Sequence, residues 1–152
     1  MENPSWLFVA AAVISVVGFI IIFRQLATNI ENRLQRENTV EVGELQKDLQ
    51  GLFTKFGLIE FIPLLLIVFG FMNIGNFTAS LTDTALLTPL VTVIMIFILG
   101  FLVIISTTRQ LFLITNLNDD IKRFIQSTRT IGLGLISALP IIAIVAIFLM
   151  SS

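Results

Sequence analysis

Four long apolar runs constrain this chain more than any other feature of its sequence. They cover residues 6–23, 57–75, 88–106 and 131–150. Each is close to the roughly 20 residues that a helix needs to cross a hydrocarbon core about 30 Å thick. Charged residues make up 12% of the chain, about half the share of roughly 25% that is usual in soluble domains. These features predict an all-α membrane protein with four transmembrane helices.

The basic residues are confined to two of the connections between these runs. All nine Lys and Arg lie between the first and second runs or between the third and fourth. They are Arg24, Arg33, Arg36, Lys47 and Lys55, and then Arg109, Lys122, Arg123 and Arg129. Connections rich in Lys and Arg tend to remain in the cytoplasm. We therefore expect a multi-pass protein in the lipid bilayer, with both basic connections cytoplasmic and both termini outside.

Both basic connections also carry apolar residues at helical spacing. Helix three is expected to continue to about Leu117, and Asp119 or Asp120 to cap the helix that follows. The stripes consist of Leu26, Ile30 and Leu34 after helix one, Leu45, Leu49, Leu52, Phe53 and Phe56 before helix two, and Ile121, Phe124 and Ile125 before helix four. We expect helical extensions beyond the membrane, whose stripes either pack on each other or bind a partner.

The two halves of the sequence resemble each other. "VVGFIIIF" in helix one corresponds to "ILGFLVII" in helix three, and "GLIEFIPLLLIVFGFM" in helix two corresponds to "GLISALPIIAIVAIFLM" in helix four. The pattern predicts a first helical hairpin over residues 1–76, an outer connection over 77–87 and a second hairpin over 88–152. Since both hairpins would enter from the same side, we expect parallel repeats related by an axis along the membrane normal.

The comparison of the halves selects the candidate site residues. Glu60 is the one charged residue inside an apolar run, and Ser137 occupies its place in the second half. An ionisable residue within a membrane helix is a candidate functional site, for which Ser15 and Ser137 are the expected hydrogen-bond partners. In the alternative interpretation, the Glu60 side chain extends toward Lys55 or Arg129 and anchors the helix at the membrane boundary.

Two further residue types carry structural expectations. Pro63 and Pro140 occupy matching positions, and proline in a membrane helix frees a backbone carbonyl and bends the helix. Gly18 and Gly100 are also matched, and small residues permit close helix packing in membranes. We expect the prolines to be kink positions and the glycines to be helix-packing positions, partly in contacts between copies of the chain.

Several kinds of function are disfavoured by composition. The chain contains no cysteine and no histidine, which removes thiol chemistry, the most common general base and the most common metal ligand. No cluster of carboxylates, lysines and hydroxyls has the pattern of an active site. We therefore expect neither an enzyme acting on its own nor a metal site, and no basic stripe suggests nucleic-acid binding.

The second helix, with a lone carboxylate followed three residues later by proline, resembles that of the proteolipid c subunit of rotary ATPases. "ISALPIIAIVAIF" in helix four looks like the same segment with Ser137 in place of the carboxylate. A duplicated four-helix form with one carboxylate is similar to the larger vacuolar-type proteolipids. The closely spaced glycines of that family's first helix are missing here.

The resemblance implies a homo-oligomeric ring in which Glu60 binds H⁺ or Na⁺ and faces a stator-like membrane subunit. No organic cofactor is implied. The alternative, from a different functional class, is a non-transporting scaffold or accessory subunit whose cytoplasmic helical hairpins bind a protein partner.

Overall fold

The computed structural model describes residues 3–36, 40–74, 84–114 and 117–151, and within these ranges every regular element is a helix. The helices are α1 (Ser5–Arg36), α2 (Val42–Ile74), α3 (Thr84–Phe112) and α4 (Asp119–Leu149). Each contains a segment that is long and apolar enough to cross a membrane. The all-α fold class and the four candidate membrane helices are thus confirmed. Most of the expected outer connection, namely residues 77–83, lies outside the described ranges.

The helices are longer than the apolar runs that they contain. α1 continues beyond Phe23 to Arg36, and α2 begins at Val42, well before the apolar run that opens at Gly57. At 1.5 Å per residue, the extension of α1 alone adds about 20 Å. The expected helical extensions are therefore present, and each is continuous with its membrane helix.

Two expected helix boundaries were wrong. α3 ends at Phe112 rather than near Leu117, because the amide groups of residues 113 and 114 bond to carbonyls three residues earlier, which closes the last turn tightly. Asn118, rather than an aspartate, occupies the N-cap of α4, and its side chain makes no capping hydrogen bond. Asp119 and Asp120 lie in the first turn instead, where negative charge is favourable near a helix N-terminus.

The helices pack around α1 and α4. Each of these two helices contacts the other three, whereas α2 and α3 share no contact within the described residues. The order around the bundle is therefore α1, α2, α4, α3, with α1 and α4 across the short diagonal. As a result α2 and α3 leave about half of their apolar side chains exposed, including Phe61, Phe69 and Met95, as suits a surface in contact with lipid.

The apolar stripes of the extensions pack on each other. Leu26, Ile30, Leu45 and Leu52 are buried in one cluster. The same cluster contains Phe56, Ile121, Phe124 and Ile125. Phe53 is the exception in its stripe, with 42% of its surface exposed. Most of the apolar surface that a partner could have used is thus already buried within the chain.

Candidate intramembrane carboxylate site

Glu60 lies between α1 and α2, inside the apolar part of α2. Ser15 of α1 is fully buried, and its Oγ donates a hydrogen bond of 2.5 Å to Oε1 of Glu60. The other carboxylate oxygen, Oε2, is buried and has no hydrogen-bond partner within the described residues. A carboxylate can accept hydrogen bonds at both oxygens. Here Oε1 accepts one from a hydroxyl, and Oε2 accepts none from the described residues.

A close contact between α1 and α2 positions this pair. A Cβ added at Gly18 would lie 2.6 Å from Cγ2 of Ile59, so the two helices touch where α1 has no side chain. Ser15 lies three residues before Gly18, and Glu60 directly follows Ile59. Because residues three apart lie on the same helix face, the Gly18–Ile59 contact also brings Ser15 and Glu60 together.

A similar close contact, without the polar pair, joins α3 and α4. A Cβ added at Gly100 would lie 2.6 Å from Cδ1 of Ile136 and 2.8 Å from Cγ1 of Val16. Ile136 directly precedes Ser137, as Ile59 precedes Glu60. Three residues before Gly100, where α1 has Ser15, α3 has Phe97.

Ser137 is not part of the Glu60 site in this structure. Its Oγ donates a hydrogen bond of 2.8 Å to the carbonyl of Gly134 in its own helix. Of the two expected hydroxyl partners, the structure therefore brings only Ser15 to Glu60. Both glycines pack within the chain, so these particular contacts are already occupied and do not face a second copy.

Pro63 and Pro140 are buried inside continuous helices. Proline has no N–H and cannot bond to the carbonyl four residues earlier. The carbonyls released in this way belong to Ile59 and Ile136, the same two residues that pack on the glycines. In both helix pairs, the turn whose carbonyl is left free by the proline is thus the turn that packs against the glycine.

The anchoring interpretation of Glu60 requires a basic partner. Within the described residues, the ion pairs join Arg33 to Glu44 and Asp48, and Lys122 to Asp119. Glu60 has no such pair with Lys55 or Arg129, both of which are described. The polar contact of Glu60 in this structure is with the Ser15 hydroxyl.

The matched position of Phe97 was not identified from the sequence. Aligning the two glycines would have revealed it, because Ser15 lies three residues before Gly18 and Phe97 lies three residues before Gly100.

No protein-family model, characterised protein or solved structure matches this chain.

Proposed function

We propose that the chain is a proteolipid-like subunit of an ion-translocating membrane complex, in which the Ser15–Glu60 pair binds a proton or a sodium ion. The observation that carries this proposal is the buried Oε2 of Glu60, which has no partner among the described residues and lies beside an oxygen that is already hydrogen-bonded. Burying a charged group without a partner is costly. A bound proton or monovalent cation would neutralise the carboxylate, and Ser15 Oγ could remain as a second oxygen ligand.

The surroundings of Glu60 favour exchange with a membrane partner. Its neighbours Leu58, Phe61 and Ile62 are exposed on the outer surface of α2, at 74%, 63% and 55% respectively. Glu60 itself is only partly buried, so it lies at the edge of the surface that would face lipid or another subunit. A stator-like subunit on this surface could exchange the ion without disrupting the α1–α4 contact.

The repeated contact supports a duplicated hairpin. Gly18 with Ile59 and Gly100 with Ile136 are the pairs that the sequence alignment makes equivalent. An exact two-fold pair of hairpins would also need an α2–α3 contact to match the α1–α4 contact, and the described residues have none. The arrangement instead favours hairpins placed side by side, which can continue into a ring through the addition of further copies.

The test is labelling with dicyclohexylcarbodiimide, a hydrophobic reagent that reacts with protonated carboxyl groups. We expect Glu60 to be labelled near neutral pH, as located by peptide mass spectrometry. Acidification should increase the labelling if the ligand is a proton, and added sodium should reduce it if the ligand is sodium. Glu60→Gln removes the site and provides the background. No labelling at any pH, with Glu60 accessible to water-soluble reagents, would favour the non-transporting scaffold instead.

Oligomeric state is a separate test of the ring. We expect a closed multimer in mild detergent by light scattering, formed through surfaces other than Gly18 and Gly100. A monodisperse monomer in both detergent and nanodiscs would contradict the ring, while leaving ion binding at Glu60 to be judged by the labelling.

A further inference from the structure

A cavity of about 420 Å³ opens between α1 and α3 and involves neither α2 nor Glu60. It lies where the apolar runs of both helices end. We call it the α1–α3 groove. Its lining is apolar at Leu99, Leu102 and Val103. Beyond Arg24 and Ser106 the lining is mainly polar, with Ala27 and Leu111 as its two apolar residues. A groove that changes from apolar to polar in this way would cross the boundary between the hydrocarbon core and the headgroup layer.

The polarity of the groove changes in the same direction along both helices. On α1, Arg24 directly follows the apolar run, and Glu31 lies seven residues further on, about 10.5 Å along the axis. On α3, Leu99 and Leu102 are followed by Ser106 and then by Gln110. From the membrane outward, the groove thus offers an apolar wall, then a guanidinium and finally a carboxylate.

The two charges are available to a ligand. Arg24 is exposed and takes part in none of the ion pairs found within the described residues. Glu31 is exposed as well and accepts a hydrogen bond from Gln35 Nε2 at 3.3 Å. Arginine is well suited to binding phosphate, since its N–H groups can form paired bonds with two phosphate oxygens.

We propose that the α1–α3 groove binds one molecule of phosphatidylethanolamine. An acyl chain would lie along Leu99 and Leu102, the phosphate would bind Arg24, and the terminal ammonium would bind Glu31. The order of chemical groups in this lipid matches the order of side chains in the groove. Phosphatidylglycerol has the phosphate but no ammonium, so Glu31 would discriminate against it. The proposal is independent of any ion site at Glu60.

The first test is native mass spectrometry of the full chain from nanodiscs that contain equal amounts of the two lipids. We expect one phosphatidylethanolamine to be retained per chain, in preference to phosphatidylglycerol. Arg24→Gln should weaken retention of both lipids by about three- to fivefold, as for the loss of one exposed ion pair. Glu31→Gln should remove the preference between them. Lys55→Gln is the matched control, because it removes a charge near the start of the second apolar run and lies outside the groove.

A second measurement keeps the groove charges native. Trp6 is the only tryptophan of the chain, so Leu102→Trp in a Trp6→Phe background places a single fluorophore in the groove. We expect phosphatidylethanolamine with brominated acyl chains to quench this tryptophan at lower mole fraction than brominated phosphatidylglycerol does. Equal quenching by the two lipids would show non-selective boundary lipid and overturn the proposal. A preference that survives Glu31→Gln would show selection by another group and would overturn it as well.

Discussion

Gly18 of α1 lies directly against Ile59 of α2, so that a Cβ on residue 18 would be 2.6 Å from Cγ2 of Ile59. That separation is shorter than van der Waals contact, and Cγ2 belongs to a β-branched side chain with few rotamers. Any side chain at position 18 must therefore displace Ile59, either by a change of its rotamer or by movement of α1 away from α2. Since the Ser15–Glu60 hydrogen bond spans the same interface, it depends on this glycine.

Gly18→Ala should accordingly lower stability by about 1–3 kcal/mol, the usual cost of overpacking a tight contact. Thermal unfolding in detergent, followed by circular dichroism, measures the change. Gly57→Ala is the matched control, because no atom of the described residues lies within 4 Å of a Cβ at that position and alanine favours the helix. Adding Ile59→Ala to Gly18→Ala should recover part of the loss. Equal effects of the two glycine substitutions would contradict the close contact.

Ser15→Ala should be more costly than Ser137→Ala, although both remove one serine hydroxyl from an apolar helix. The first substitution leaves Oε1 of the partly buried Glu60 without its donor, which costs about 1–3 kcal/mol. The second removes only a bond from Ser137 to the Gly134 carbonyl of the same helix. Thermal unfolding of the two variants side by side makes the comparison. A similar loss in both would mean that the Ser15–Glu60 bond contributes little.

The four membrane helices could be predicted from sequence because each apolar run is both long and uninterrupted. Their arrangement could not be predicted in the same way, since apolar residues occur on all sides of these helices and mark no single packing face. Nothing in the composition of α1 or α4 identifies them as the central pair. The end of α3 at Phe112 was missed because its apolar pattern continues beyond that residue to Leu117.

The candidate site was only partly predictable for a related reason. Glu60 stands out as a charge within an apolar run, but Ser15 and Ser137 were equally plausible partners by depth. Which hydroxyl reaches the carboxylate depends on which faces of the helices meet. The close contact between Gly18 and Ile59 brings Ser15, rather than Ser137, within hydrogen-bond distance of Glu60.

Arg33 should stabilise the first helical extension in a salt-dependent way. Its guanidinium bonds to Glu44 at 3.2 Å and to Asp48 at 2.9 Å, and so joins α1 to α2. The group is partly exposed, so we expect Arg33→Ala to cost about 1 kcal/mol or less at low salt, and the difference to shrink in high salt. Lys122→Ala is the control, because Lys122 pairs with Asp119 within one helix. Thermal unfolding at two salt concentrations measures the loss of stability in each variant. An equal salt dependence for Arg33→Ala and Lys122→Ala would contradict a stabilising ion pair between α1 and α2.

Topology can be tested in the natural background, since the chain has no cysteine. Because the basic residues lie in two connections, we expect the extension around Gln46 to be cytoplasmic and the start of α3 to be outside. Single cysteines at the exposed positions Gln46 and Thr84 would be treated with a membrane-impermeant maleimide on intact cells. We expect labelling of Thr84→Cys and protection of Gln46→Cys until the cells are opened. The reverse pattern would invert the proposed orientation.

If the two hairpins are equivalent, as proposed, the polar pair can be transplanted from the first to the second. In that case Ser137→Glu alone places a carboxyl opposite Phe97, the counterpart of Ser15, which has no hydroxyl to donate, so we expect a less stable protein. Adding Phe97→Ser supplies the hydroxyl donor that Ser15 provides in the first hairpin. Ser137→Glu should then be better tolerated than it is alone. In a double-mutant cycle the two changes should couple favourably by about 0.5–3 kcal/mol. In a Glu60→Gln background, carbodiimide should label the new carboxyl of the double variant. If the two substitutions were simply additive and the new carboxyl remained unlabelled, the matched Gly–Ile contacts would reflect similar packing without an equivalent site.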